Sequence, residues 1–208
     1  MTDRKKIIAI IDYDAGNLKS VQNAFEYLGQ KTVITRDQNE IIKADGIVLP
    51  GVGAFGDAMG KLRHFGLDNI IRQAASERPF LGICLGLQLL FGSSEESLGV
   101  EGLSILEGKI IKIPAAQGLK IPHIGWNSLK VTPGARLFAG LPENPYVYFV
   151  HSYYLKAEKQ EDVAASTEYG VHIHAAVERG NLFACQFHPE KSGETGLVIL
   201  ENFIKLLG

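Results

Sequence analysis

The segment Pro79-Phe80-Leu81-Gly82-Ile83-Cys84-Leu85-Gly86-Leu87 constrains this chain more than any other. Phe80 to Ile83 is a short apolar run that reads as a strand, and Leu85 to Phe91 has the composition of a helix start. Cys84 then falls on a sharp strand-to-helix turn. Gly82 and Gly86 complete the G-x-C-x-G spacing of a nucleophile elbow, in which missing side chains let strand and helix pack closely while the sulfur points outward. The free N–H groups that open the helix would favour a thiolate over the thiol that predominates at neutral pH. A buried structural cysteine is the alternative, since burial is a common fate of this residue.

The chain before and after the elbow reads as alternating strands and helices. Strands are expected at Lys6 to Ile11, Lys31 to Thr35, Gly46 to Leu49 and Phe80 to Ile83. A helix is expected from Asn17 to Leu28, with Gly29 placed to stop it, and helical material from about Gly56 to Ser76. This alternation implies a parallel sheet wrapped by helices on both faces, with active residues at the carboxyl edge. From Lys109 the pattern changes to short strand-like runs: Lys109 to Ile113, Leu129 to Thr132, Tyr146 to Val150, Val163 to Ser166, Ile173 to Val177 and Leu182 to Phe187. These extend the sheet and add antiparallel strands. Gly196 to Leu207, apolar on one face, closes the fold as a packed helix.

A second chemical group follows the last strand. In Phe187-His188-Pro189-Glu190 the histidine and the acid are two positions apart, so an extended chain points both the same way. A carboxylate can then fix the tautomer of an imidazole that takes a thiol proton and later returns it to a leaving group. A surface turn around Pro189 is the bland alternative. A third feature, Pro50-Gly51-Val52-Gly53-Ala54-Phe55-Gly56, matches the G-x-G-x-x-G of dinucleotide-binding loops. That fingerprint should open the first strand-helix unit and be followed by an acid closing the second strand. Here two strands precede the loop, and Glu77 ends helical material. The loop better suits an oxyanion hole, with backbone N–H groups of Val52 and Gly53 facing a developing negative oxygen and Leu85 N–H as a further donor. An ordinary tight turn is the remaining alternative.

Composition narrows the class. A chain of 208 residues suits one domain, long enough to bury about 70 to 75% of its unfolded surface without disulfides. The two cysteines, Cys84 and Cys185, form neither a framework nor a C-x-x-C pair, which argues for a reducing cytoplasm and against zinc. His172 and His174 alternate on a strand, but no third ligand has suitable spacing, so no metal is expected. A net charge of −2 without a long basic run argues against nucleic acid. The basic start Met1 to Lys6 precedes only Ile7 to Ile11 as an apolar stretch, too short for a signal peptide or a membrane span.

Taken together, these residues resemble the class I glutamine amidotransferases, whose elbow reads G-x-C-x-G and whose late motif reads H-P-E. Within that class the chain is similar to the glutaminase-subunit family of imidazole glycerol phosphate synthase. The narrower resemblance rests on Pro50 to Phe55, Pro122-His123-Ile124-Gly125-Trp126-Asn127, Phe149 to Tyr154, Gln186 to Ser192, and the opening Ile11-Asp12-Tyr13-Asp14-Ala15-Gly16-Asn17. Leu87 stands where this family more often has Met and anthranilate-type glutaminases have His; Leu for Met is a mild change in a packed helix. The resemblance implies an α/β sheet of amidotransferase type, mostly parallel with added antiparallel strands. It implies glutamine hydrolysis through a thioester on Cys84, with His188 as base and acid and Glu190 behind it. Gln88 and the backbone around Gly51, Gly53, Ser152 and Tyr153 would hold the amino-acid end of glutamine, and no cofactor is needed. It further implies a heterodimer, with ammonia passing to a (β/α)₈ cyclase subunit, and Asn17, His123, Trp126, Tyr148 and His151 at the interface.

Overall fold

The structure, a computed structural model, describes residues 5–14 and 16–208; the expectations that fall on Met1 to Arg4 and on Ala15 lie outside the described residues. In chain order the first half comprises β1 (Ile7–Ile11), α1 (Leu18–Tyr27), β2 (Lys31–Thr35), α2 (Gln38–Lys43), β3 (Gly46–Leu49), α3 (Phe55–His64), α4 (Asp68–Glu77), β4 (Phe80–Ile83) and α5 (Leu85–Leu89). The second half comprises β5 (Gly108–Lys112), β6 (His123–Ser128), β7 (Lys130–Val131), β8 (Tyr146–His151), β9 (Tyr153–Ala157), β10 (Val163–Glu168), β11 (His172–Arg179), β12 (Leu182–Cys185) and α6 (Gly193–Lys205).

The main sheet runs β2-β1-β3-β4-β12-β11-β10-β7, with β5 and β9 joined to it through β11. From β2 to β12 the neighbours are parallel; beyond β12 they are antiparallel. The mixed sheet expected from the sequence is therefore present, and β6 and β8 form a separate antiparallel ribbon. Side chains alternate across the sheet with the period of two that a strand dictates. Ala9, Ile11, Ile47 and Leu49 pack with Ile41, Met59, Leu62 and Ile71 on the face covered by α2, α3 and α4. Ile8, Ile10, Val48, Leu81 and Ile83 pack with Val21, Phe25, Ile199 and Phe203 on the face covered by α1 and α6.

Three local readings are corrected. The helical stretch expected from Gly56 to Ser76 is two helices, because Gly66 adopts a left-handed φ of 64° and Leu67 N–H returns to Leu62 O at 2.8 Å, closing α3 before α4 begins. The sequence reading passed over α2, whose cap is explicit: Asp37 accepts from Asn39 N–H at 2.8 Å and Glu40 N–H at 3.0 Å. It also passed over β6 and β9, whose mixed polar and apolar composition hides a strand until a partner is found. No helix among the described residues is long and apolar enough to cross a membrane.

The elbow depends on missing side chains. A Cβ on Gly86 would lie 1.8 Å from Leu49 O, and one on Gly82 would lie 2.9 Å from Gly86 O. Gly60, inside α3, has open space around its Cβ position. Gly86→Ala is therefore expected to destabilise the chain by about 1 to 3 kcal/mol through overpacking. Gly60→Ala should stabilise it by up to about 1 kcal/mol through helix propensity. Urea unfolding of the two variants beside the parent checks the signs.

Candidate active site

Cys84 sits between β4 and α5 with φ 54° and ψ −108°, a conformation outside the usual allowed regions for a side-chain-bearing residue. Such a residue costs of order 1 to 3 kcal/mol and persists only where its surroundings enforce it. The enforcement is visible: Cys84 N–H donates to Cys185 O at 2.8 Å across the β4–β12 pairing, and Gly82 and Gly86 admit the close strand-helix contact. The helix that follows has only five residues.

β12 is the parallel neighbour of β4, so the chain leaving β12 emerges beside the elbow. His188 Nδ1 and Glu190 Oε1 are 2.8 Å apart, with side chains 1% and 0% exposed. The pair meets by a different route from the extended chain expected: residues Pro189–Lys191 form a 3₁₀ turn that folds the carboxylate back under the ring. Asn17, at the start of α1, donates from Nδ2 to the same Glu190 oxygen at 2.5 Å. Burial by itself would push the His188 ring toward its neutral form. The opposing effects of the Cys84 sulfur and the Glu190 carboxylate prevail and raise its pKa to about 9. His188 Nε2, the ring nitrogen on the side away from Glu190, has no hydrogen-bond partner. Glu190 Oε2 is likewise buried and unpartnered.

Cys84 and His188 open onto a cleft of about 450 Å³ whose walls include Val52, Gly53, Leu85, Gln88, Glu96, Ser152 and Tyr153. Of the residues expected in the site, Cys84, His188, Val52, Gly53, Leu85, Gln88, Ser152 and Tyr153 line this one mouth, whereas Gly51 does not. Leu85 N–H, expected as an oxyanion donor, instead makes a long 3.4 Å bond to Gly51 O. Tyr13 anchors the glycine loop from below, donating its hydroxyl to Pro50 O at 2.9 Å. Gln88 donates from Nε2 to Tyr153 O at 3.2 Å and to Gln186 Oε1 at 3.0 Å.

Two residues expected at an interface are nearly buried within this chain. His123 and His151 are only 2% and 6% exposed, and His151 lines the cleft beside Cys84. His123 lies between the rings of Phe149 and Tyr169, at 4.7 and 3.8 Å between centroids. Its Nδ1 is 3.1 Å from His151 Nε2, and His151 Nδ1 meets Tyr153 O at 2.9 Å. The tautomers follow from the carbonyl acceptor: His151 donates from Nδ1, so its Nε2 accepts from His123. Trp126, for which a core position was the alternative, is 55% exposed beside Ile124 at 59% and Tyr146 at 58%, with Tyr148 partly buried against it. Among the described residues no cluster of three or more His, Cys, Asp or Glu could hold a metal.

The sequence reading missed one cleft residue, Glu96, and one buried residue behind the cleft, Gln186. Glu96 receives Phe55 N–H at 2.7 Å from a loop that carries no motif. Gln186 had a signal: it is the polar residue in the apolar run Leu182 to Phe187, and it is fully buried.

A cysteine on a strand-helix elbow, a histidine-acid pair on the turn after the adjacent strand and a glycine loop lining the same cleft make a site suited to thiol-based amide transfer on an α/β sheet. The class-I glutamine amidotransferase family matches residues 9–206, and the chain belongs to it. Within that family the chain is 50% identical over 201 residues to the imidazole glycerol phosphate synthase subunit HisH of Moorella thermoacetica, covering 96% of this chain and 95% of that one. The HisH subunit of Thermosynechococcus vestitus is 52% identical, covering 96% and 97%. The structure of PurLQS from Thermotoga maritima matches 99% of this chain and 100% of that one with a TM-score of 0.77 at 21% identity, which bears on the fold alone.

The buried histidine pair sets an acid limit on stability. Burial pushes the pKa of His151 down to about 3 and that of His123 down to about 4. Each folded-state value lies below the unfolded one, near 6.5, so the stability they allow is complete above that pH and is lost as the pH falls below it. For His151 the loss is about 2 kcal/mol at pH 5 relative to pH 7. Denaturant midpoints at the two pH values should fall accordingly in the parent, and His151→Gln should show a smaller drop.

Proposed function

We propose that this chain is the glutaminase subunit of an imidazole glycerol phosphate synthase, releasing ammonia from glutamine beside Cys84 and supplying it to a (β/α)₈ cyclase subunit. The observation that carries the reading is the convergence of the elbow cysteine with the buried His188–Glu190 pair, 2.8 Å apart. The narrower assignment is supported by relatives about half identical over nearly the whole chain that are named as HisH subunits of that synthase.

In this reading His188 Nε2 takes the Cys84 proton as sulfur attacks the side-chain amide carbon of glutamine. A ring with a pKa near 9 holds that proton at neutral pH, and Glu190 fixes Nδ1 and offsets the charge. His188 then protonates the departing nitrogen, ammonia leaves and a γ-glutamyl thioester remains. Water, deprotonated at the same Nε2, attacks the thioester, and glutamate departs as the thiol is restored. The backbone around Gly51, Gly53, Ser152 and Tyr153, with Gln88, holds the amino-acid end, and Glu96 supplies negative charge for its ammonium. Val52 or Gly53 N–H, with Leu85 N–H, stabilises the oxyanion, and the loss of one such donor typically costs about 100- to 1,000-fold in rate.

The long bond from Leu85 N–H to Gly51 O supports a resting loop in which one donor is already engaged. Binding of the nucleotide ligand on the cyclase would turn the loop and free it. The cyclase would dock over the exposed Ile124, Trp126 and Tyr146 face, with Tyr148 beside them, while Asn17 lies behind Glu190.

Glutamate release from glutamine is the test, measured with the chain alone, with the cyclase, and with the cyclase plus its ligand. Strong release only in the last mixture is expected, and equal release in all three would reject the gated loop. Cys84→Ala should abolish glutamine-dependent turnover while added ammonia still feeds the cyclase; no release under any condition would return Cys84 to a structural role.

A further inference from the structure

Gln186 is a polar side chain with no exposed surface, placed where β12 ends and between two residues of the site. Its Oε1 accepts from Gln88 Nε2 at 3.0 Å, and its Nε2 lies 3.7 Å from Cys84 Sγ, within reach of a sulfur acceptor. The amide orientations are fixed by their partners. Gln88 spends its nitrogen on two acceptors, Gln186 Oε1 and Tyr153 O, which forces the Gln186 nitrogen toward the sulfur. The bonds therefore run in one direction, from Gln88 through Gln186, and end with an N–H aimed at Sγ.

We propose that Gln186 is a positioning residue for the nucleophile, whose amide N–H holds the Cys84 sulfur as an anion in the attacking rotamer and ties its position to the residue that grips the substrate. A neutral thiol is a weak acceptor and a thiolate a strong one, so this donor favours the charged sulfur. Burying an amide in an apolar strand end is costly unless both its ends are engaged. Oε1 is engaged by Gln88, and Nε2 has full compensation only when the sulfur carries charge. The inference rests on the glutaminase reading for its purpose but not for its test.

The titratable groups around the sulfur are His188 and, behind it, Glu190 from the turn after β12, Cys185 on β12, Tyr13 from the loop after β1, and, lining the same cleft, Glu96, His151, Tyr153 and Lys191. All remain in place when Gln186 alone is changed. The experiment is the pH dependence of Cys84 alkylation by iodoacetamide, followed by mass spectrometry of the Cys84 peptide, in the full chain and in Gln186→Met, which keeps length and volume. Loss of a hydrogen bond to a charged group is expected to slow alkylation near neutral pH about tenfold and to move the profile upward by about one pH unit. Gln186→Leu should do the same and serves if the first variant does not fold. Profiles that coincide with the parent would overturn the proposal. If the parent fails to release glutamate from glutamine while the profiles still separate, the glutaminase reading fails and this inference stands.

Discussion

The parallel pairing of β4 with β12 is the constraint on which the rest of the site depends. It joins a strand from the first half of the chain to one near the end, with Cys185 opposite Ile83 and Cys84 N–H bonded to Cys185 O. The elbow leaves one strand and the histidine-acid turn leaves its neighbour, both at the carboxyl edge. Groups 104 positions apart, by the difference between 188 and 84, are thus brought together by a single ladder. Closing so large a loop is slow and entropically costly, yet the cost grows only weakly with length, and burial of both sheet faces offsets it.

The core near this ladder departs from the rule that buried polar atoms are satisfied. His188 Nε2 and Glu190 Oε2 are buried without a partner, on the strand turn beside a cysteine held at positive φ. A site selected for stability alone would fill those valences or replace the pair with apolar side chains. Unfilled valence and backbone strain at one mouth are better explained by chemistry that completes itself when a substrate enters.

How much of this was legible follows from the range of the forces involved. The elbow could be read because its glycines answer to contacts a few residues away, and the His188–Glu190 pair because it is local. The parallel strands announced themselves as apolar runs. By contrast, β6 and β9 are stabilised by partners far along the chain and carry no strong period of their own. His123 and Trp126 illustrate the limit: adjacent alternation on β6 sends one inward to stack on Phe149 and Tyr169 and the other outward, a distinction fixed by the register with β8. The resemblance named the segment without saying which face each residue takes. Glu96 was invisible because its partner, the start of α3, lies 41 positions away.

The β6–β8 ribbon gives that alternation a mechanical meaning. Its outer face presents Ile124, Trp126 and Tyr146; its inner face holds the neutral His123–His151 pair; and its edge is bonded to the base itself, since His188 N–H donates to Tyr148 O at 3.0 Å. Ser192 closes the contact, receiving Tyr148 N–H and donating to His188 O at 2.7 Å. A protein seated on the outer face would press on a two-stranded element whose opposite edge sets the height of the imidazole. On the inner side, His151 and Gln88 share the carbonyl of Tyr153, so the same ribbon is two hydrogen bonds removed from the Gln88 amide and three from Gln186. Because each strand's bonds in an antiparallel ribbon are fixed by the other, contiguous hydrogen bonds run from the Trp126 face of the ribbon to the residues around Cys84.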